Sequence, residues 1–287
     1  MRFFNILLLF IGLSVYSLSS FAQLKPVLDG AYGREHVPLQ KAPPLQEIRE
    51  ADGMYSRKVV RYIDVREKRN HPLFFSIQDI VFPAAEGIQP ERMRLSLFRL
   101  MTKSIKDGVI PAFRYDPRDM TTRWWLVELE GDELRSIDSV ETIQRTATGA
   151  EIKVPAAVKN EDVIGFYVWE EWVFDKQRSV MDVRIISIAP YVYTDADGEM
   201  GLYWVYYPHL ENIFKQYETY NQGENDAARL TFREIFQMRI FSSFIFATTN
   251  VYDNRPINDY LLGIDAIREG ERIQDKIFTF EHDQWEY

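Results

Sequence analysis

The chain has 287 residues, a formal net charge of −9, and no cysteine. Its acidity argues against nucleic acid or an anionic lipid surface as the main partner. The absence of cysteine excludes disulfides, thiolate metal sites and thiol nucleophiles.

The first 22 residues carry one charge, Arg2, then a run of apolar residues, then "SLSSFAQ". Ser20 and Ala22 are the small residues that a signal peptidase reads, so a leader (1–22) cleaved after Ala22 is expected, with Gln23 first in the mature chain. The apolar stretch is close to the lower limit for spanning a bilayer, and serines interrupt its second half, which favours a leader over a retained anchor. The expected compartment is therefore outside the cytoplasm.

Residues 23–44 form a proline-rich arm, with four prolines and two glycines between 24 and 44. That pattern suits neither a helix nor an inner strand. Yet Leu24, Val27, Leu28, Tyr32, Val37 and Leu39 are apolar, which is unusual for a free tail. Apolar contact alone does not offset the entropy of ordering such a segment. An arm that docks on another subunit through these six residues is expected.

A helix is expected over 45–58, weakened by Gly53, then an alternating strand over 59–66 and a second extended piece from Leu73 to Ile80. "ERMRLSLFRLMTKSIKDG" puts Leu97, Leu100, Met101 and Ile105 on one helical face, with Gly108 as the stop. "VIPAFRYD" reads as a strand and "WWLVELE" (124–130) as another, while the polar segment "SIDSVETIQRTATGAE" reads as an exposed loop or hairpin. Strong strand signals follow in "VIGFYVWEEWVFD" (163–175) and "SVMDVRIISIAPYVYT", with Asp195 to Gly198 turning the chain into "MGLYWVYYP". Pro208 opens a helix carrying Leu210, Ile213, Phe214 and Tyr217. Thr231 and Glu234 make a capping box for another, with Phe232, Ile235, Phe236 and Ile240 along it. "SFIFATTNVYD" reads as a strand, Asn258 as the cap of a short helix, and "DAIREGERIQDKIF" as a polar, solvent-facing final helix.

The expected fold is α+β: mixed sheets with packed helices, in a first half (45–160) and a second half (161–287). Asp64-Val65-Arg66 and Asp182-Val183-Arg184 repeat one triplet, each followed by a proline, an amphipathic helix and a strand ending in Tyr-Asp. This order suggests two diverged strand-helix-strand repeats, roughly 50–116 and 168–253, with Asp64, Arg66, Asp182 and Arg184 at equivalent strand positions making local ion pairs.

Signals for chemistry are sparse. His36, His71, His209 and His282 lie far apart, and no nucleophile elbow, phosphate loop or dinucleotide fingerprint occurs. Asp195, Asp197 and Glu199 alternate like the start of a calcium loop, but Tyr206 stands where the bidentate glutamate belongs. Trp169, Glu170, Glu171 and Trp172 resemble an aromatic-acid sugar site, though adjacent glutamates on a strand point to opposite faces. No catalytic residue, cofactor or metal is assigned. The 6 Trp, 16 Tyr and 19 Phe suit a core or a protein interface.

Three long blocks, "IREADGMYSRKVVRYIDVREKRNHPLFF", "EEWVFDKQRSVMDVRIISIAP" and "FSSFIFATTNVYDNRPINDYLLG…ERIQDKIFTFEHDQWEY", resemble the gliding-motility GldN (PorN) family. The resemblance is weakest over 117–160. It implies a periplasmic, non-catalytic component of the type IX secretion system of Bacteroidetes, peripherally associated with the outer membrane. Its partners would be an outer-membrane lipoprotein of the GldK (PorK) type in a ring, the periplasmic part of a GldM (PorM) type motor protein, and neighbouring copies of the same subunit. An exported carbohydrate-binding protein or glycoside hydrolase is the alternative that the residues leave open.

Overall fold

The structure is a computed structural model that describes residues 47–75, 95–115, 127–145, 151–223, 230–252 and 254–284. The leader, the arm, Trp285 and Tyr287 lie outside the described residues. In chain order the elements are β1 (Gly53–Asp64), α1 (His71–Phe74), α2 (Leu97–Lys106), β2 (Phe113–Arg114), α3 (Gly131–Arg135), β3 (Ser139–Arg145), β4 (Glu151–Ala157), β5 (Val163–Asp175), β6 (Val180–Thr194), β7 (Gly198–Gly201), β8 (Tyr203–Tyr206), α4 (Tyr207–Gln216), β9 (Glu218–Thr219), β10 (Leu230–Thr231), α5 (Phe232–Gln237), β11 (Phe244–Thr248) and α6 (Ile264–Asp283).

A seven-stranded antiparallel sheet runs β11-β1-β5-β6-β8-β2, with β7 also paired to β6. β3 and β4 form a separate hairpin, and β9 and β10 a short ladder. The architecture is α+β. β1, from the first expected half, lies between β5 and β11 of the second, so the halves share one sheet.

The helix expected over 45–58 is replaced by a single 3-10 turn, Glu50–Asp52, and by the start of β1. Gly53 to Asp64 pairs with β5 along its whole length, and that ladder outweighs local helical preference. Leu73, expected in an extended segment, sits buried in the short α1, and 76–80 lie outside the described residues. β2 is only two residues long, and the backbone at 127–129 pairs on its outer side through Arg114 N to Val127 O and Leu129 N to Ala112 O. Pro190, inside β6, accepts from Leu202 N through its carbonyl. Its missing N–H thus faces the side where β7 gives way to β8, so no ladder bond is lost.

The two faces of the sheet differ. On one, Ile63, Phe166, Val168, Ile188, Tyr203 and Val205 pack with apolar side chains of α2, α4 and α5, and Val59 and Ile245 pack with α6. α2 begins at Ser96, whose hydroxyl accepts from Arg99 N, and buries the expected stripe Leu97, Leu100, Met101 and Ile105. α4 ends at Gln216, leaving Tyr217 extended, and α5 ends before Arg239, whose φ of 53° turns the chain away from Ile240. Asn258 lies inside a 3-10 turn whose N-cap is Pro256. α6 is not wholly solvent-facing: Ala266, Gly270, Ile273 and Ile277 are buried at helical spacing.

On the other face Val60, Tyr62, Tyr167, Trp169, Ala189, Trp204 and Ala247 form a second cluster, rimmed by Phe113, Tyr115, Tyr191, Phe244 and Phe246. No described helix contributes to it. The Tyr62 ring meets Tyr167, Tyr191 and Phe244 at centroid distances of 5.1, 6.0 and 5.4 Å. The same ring lies over Gly165, where a Cβ would sit 2.4 Å from the phenol oxygen. Burial raises the Tyr62 and Tyr167 phenols above their ordinary pKa, so both stay neutral.

The outer edge of β11 is guarded by α6. A Cβ at Gly270 would stand 2.9 Å from the Ile245 carbonyl oxygen and 3.5 Å from its amide nitrogen. Only glycine lets the helix lie so close to an edge strand, and a covered edge resists pairing with another chain. Gly270→Ala is therefore expected to destabilise by about 1–3 kcal/mol, although alanine ordinarily favours a helix by about 1 kcal/mol over glycine. A urea titration checks this, and a gain in stability would refute the close approach.

Candidate functional site

The aromatic-acid segment lies at the centre of the sheet, on β5. Strand alternation sends Trp169 to the helix-free face beside Val60, and Glu170 to the helical face beside Val59. Glu171 returns to the first face, where its Oε1 accepts from the Ser56 hydroxyl at 2.6 Å. The two glutamates therefore point away from each other. Trp169 is completely buried and offers no ring face to a sugar.

Glu170 is completely buried and ionically bound. The Arg239 guanidinium donates to both its carboxylate oxygens, at 2.8 and 3.1 Å, and Trp172 Nε1 donates at 3.0 Å. Arg239 is aimed there by its left-handed backbone and by the rings of Trp172 and Phe241, 5.8 and 5.4 Å from its guanidinium carbon. Arg61 approaches from β1 on the same face and donates to the Ser243 hydroxyl, the Ser243 carbonyl and Gln274. Burial lowers the Arg61 pKa, the Glu170 charge opposes that, and Arg239 adds to it. The cluster joins β1, β5, the end of α5 and α6. Its carboxylate is occupied by charge-assisted bonds from Arg239 and Trp172. The geometry cross-links four elements.

The repeated triplets occupy different places. β1 and β6 both run antiparallel to β5, but Asp64 stands opposite Gly165 and Asp182 opposite Val173, at opposite ends of that strand. Asp64 is the last residue of β1 and Arg66 lies in the following turn, whereas Asp182 and Arg184 lie within β6. The triplets are therefore not equivalent strand positions: one ends its strand and the other begins one. Each does hold a local ion pair, Arg66 to Asp64 at 2.6 Å and Arg184 to Asp182 at 2.6 Å. Asp182 also binds Arg178, which is held in turn by Asp175.

The remaining candidates are dispersed. Thr231 caps α5, accepting from Glu234 N, while the Glu234 carboxylate accepts from Thr231 N. Asp195, Asp197 and Glu199 lie in and after the β6–β7 turn, and Asp197 is bound by Lys153 at 2.8 Å. Among the described residues no group of three or more His, Asp or Glu side chains could hold a metal ion. His71, His209 and His282 stand on α1, α4 and α6, and His36 and the six arm residues lie outside the described residues. Among the described residues no helix is long and apolar enough to cross a membrane.

The sequence reading missed Arg61 and Arg239. A signal was present: Arg61 shares its strand face with Val59 and Ile63, and a charge on an apolar face calls for a buried counter-charge.

Comparison with known proteins gives one family. A family model described as "Gliding motility associated protein GldN" matches residues 48–286. No curated protein matches the chain.

Proposed function

The chain belongs to the GldN family of gliding motility associated proteins, a component of the gliding motility and type IX secretion machinery, and we propose that it acts there as a non-catalytic structural subunit. In this reading the mature chain is periplasmic, lies at the outer membrane, and assembles with a lipoprotein of the GldK (PorK) type into a ring. It also contacts the periplasmic part of a GldM (PorM) type motor protein. The observation that carries the reading is the family match over nearly the whole chain beyond the arm. It is supported by Glu170, the most buried carboxylate of the aromatic-acid segment, being consumed in a structural ion pair.

The arm, 24–44, is the proposed docking element, through Leu24, Val27, Leu28, Tyr32, Val37 and Leu39. Co-purification of the mature chain with the lipoprotein tests the role, and a chain that stays alone in the mixture would refute it. Deleting 24–44 is expected to weaken that association without changing the thermal unfolding of the rest. Unchanged affinity would remove the arm from the interface.

A further inference from the structure

Beside α6, on the helical side of the sheet, lies a groove of about 290 Å³ between the start of β1, the end of β11 and the loop that follows. Its charge runs against that of the molecule. Arg57, Arg255, Arg272 and Lys276 line it with one described carboxylate, Glu269, in a chain whose formal net charge is −9. Glu269 is taken by Arg272 through two hydrogen bonds, which hold its carboxyl below the usual range.

The other three cations have no carboxylate bonded to them among the described residues. Arg57 donates to a neutral group, the Thr248 hydroxyl, at 3.0 Å. Arg255 is stacked between two rings, 4.9 Å from the Tyr252 centroid and 4.7 Å from that of Tyr260. A guanidinium held between rings keeps its edge N–H groups free to donate, in a fixed direction. Lys276 acts on Glu269 only through its charge.

The lining also carries two exposed rings, Tyr252 and Tyr260. Tyr252 is 66% and Tyr260 40% exposed, and Val251, Leu262 and Ile264, near them in the sequence, are 91%, 80% and 69% exposed. The surface here thus offers positive charge with no described carboxylate bonded to it, beside two presented tyrosine rings.

We propose that this groove is a docking site for an acidic segment of a partner polypeptide, with carboxylates set against Arg57, Arg255 and Lys276 and apolar side chains against Tyr252 and Tyr260. Charge complementarity selects this occupant. A lone phosphate would use the cations but leave the two tyrosine rings bare, and an anionic membrane would be repelled by the rest of the acidic chain. The chain's own arm does not fit, because Lys25, Arg34 and Lys41 outnumber Asp29 and Glu35 there. The inference takes from the proposed role only that the partners are proteins.

The test is fluorescence polarisation on the mature chain with a labelled peptide of Glu, Asp, Tyr and Leu, beside the same peptide carrying Gln and Asn for its acids. Binding of the acidic peptide alone, falling with added salt, is expected. Lys276→Glu and Arg255→Gln are each expected to weaken it about tenfold, as loss of a close charge pair across an interface does. Arg135→Gln, on the exposed α3, is the control and leaves it unchanged. Lys276 is on a solvated helix face, so its variant keeps the test valid should Arg255→Gln unfold the loop. No binding, equal binding of the two peptides, binding unaltered by Lys276→Glu, or displacement by inorganic phosphate or anionic phospholipid vesicles would overturn the proposal. Lipoprotein co-purification is a separate experiment, so the groove and the subunit role can fail independently.

Discussion

Glu170→Gln is expected to lower the unfolding free energy by about 3–5 kcal/mol, the usual cost of breaking a buried ion pair from one side. The reason lies in what the substitution leaves behind. Arg239 retains 33% of its side-chain exposure and can recover some water, but Arg61 is 7% exposed and cannot. With the carboxylate gone, two guanidinium groups remain close together with no carboxylate between them, in a medium that solvates them poorly. For a domain of this size each kcal/mol moves the melting midpoint by about 2–4 °C, so the effect is plain in a thermal scan. The companion variant is Glu170→Met with Arg239→Met, which removes the pair together and is expected to recover much of the loss. A Glu170→Gln protein as stable as the parent would show that the cluster does not cross-link β1, β5, α5 and α6.

Trp169→Ala is expected to cost about 3–5 kcal/mol, the range for emptying a fully buried aromatic site. Trp169 lies mid-sheet, opposite Val60 on one side and Ser187 on the other, with Lys58 Nζ 5.8 Å from its ring. Trp169 is held between β1 and β6, with an irregularity in the β6 pairing just after it, and the surrounding sheet can close an emptied site only in part. Trp172, which is only partly buried and lies against Arg239, should cost clearly less when changed to alanine. The ordering bears on chemistry as well as stability. A sugar platform would lose ligand binding on either substitution while the fold survived, whereas a structural centre loses the fold first at Trp169. Denaturant midpoints of the two variants, taken with binding to immobilised polysaccharide, separate these outcomes.

How far the fold was legible varied along the chain for physical reasons. β5 is expected over 163–175 and found as Val163–Asp175, because a β-branched and aromatic run of that length has no competing periodicity. The stripe of α2 and the capping box of α5 are local patterns, each written within a single turn or two of helix. Residues 50–58 failed for the opposite reason. "EADGMYSRK" contains nothing that excludes a helix, yet it makes only a 3-10 turn at Glu50–Asp52 and is extended from Gly53 on, because β5, more than a hundred residues away, supplies the hydrogen-bond partners there. The repeated Asp-Val-Arg triplet misled in the same manner. Its ion pairs are local and form at both copies, but strand position is set by register with β5, which three residues cannot encode.

The amino-acid sequence by itself determined the lack of any cysteine, the α+β class and, through long distinctive blocks, the family. These follow from composition and from neighbours in the chain. Only the tertiary structure decided that Glu170 belongs to Arg239 and that Gly270 seals an edge strand. It alone gathered Arg57, Arg255 and Lys276 into one groove against an acidic background. Each of these joins residues far apart in the chain, and their energies depend on burial and mutual distance, which exist only once the sheet has brought its strands together.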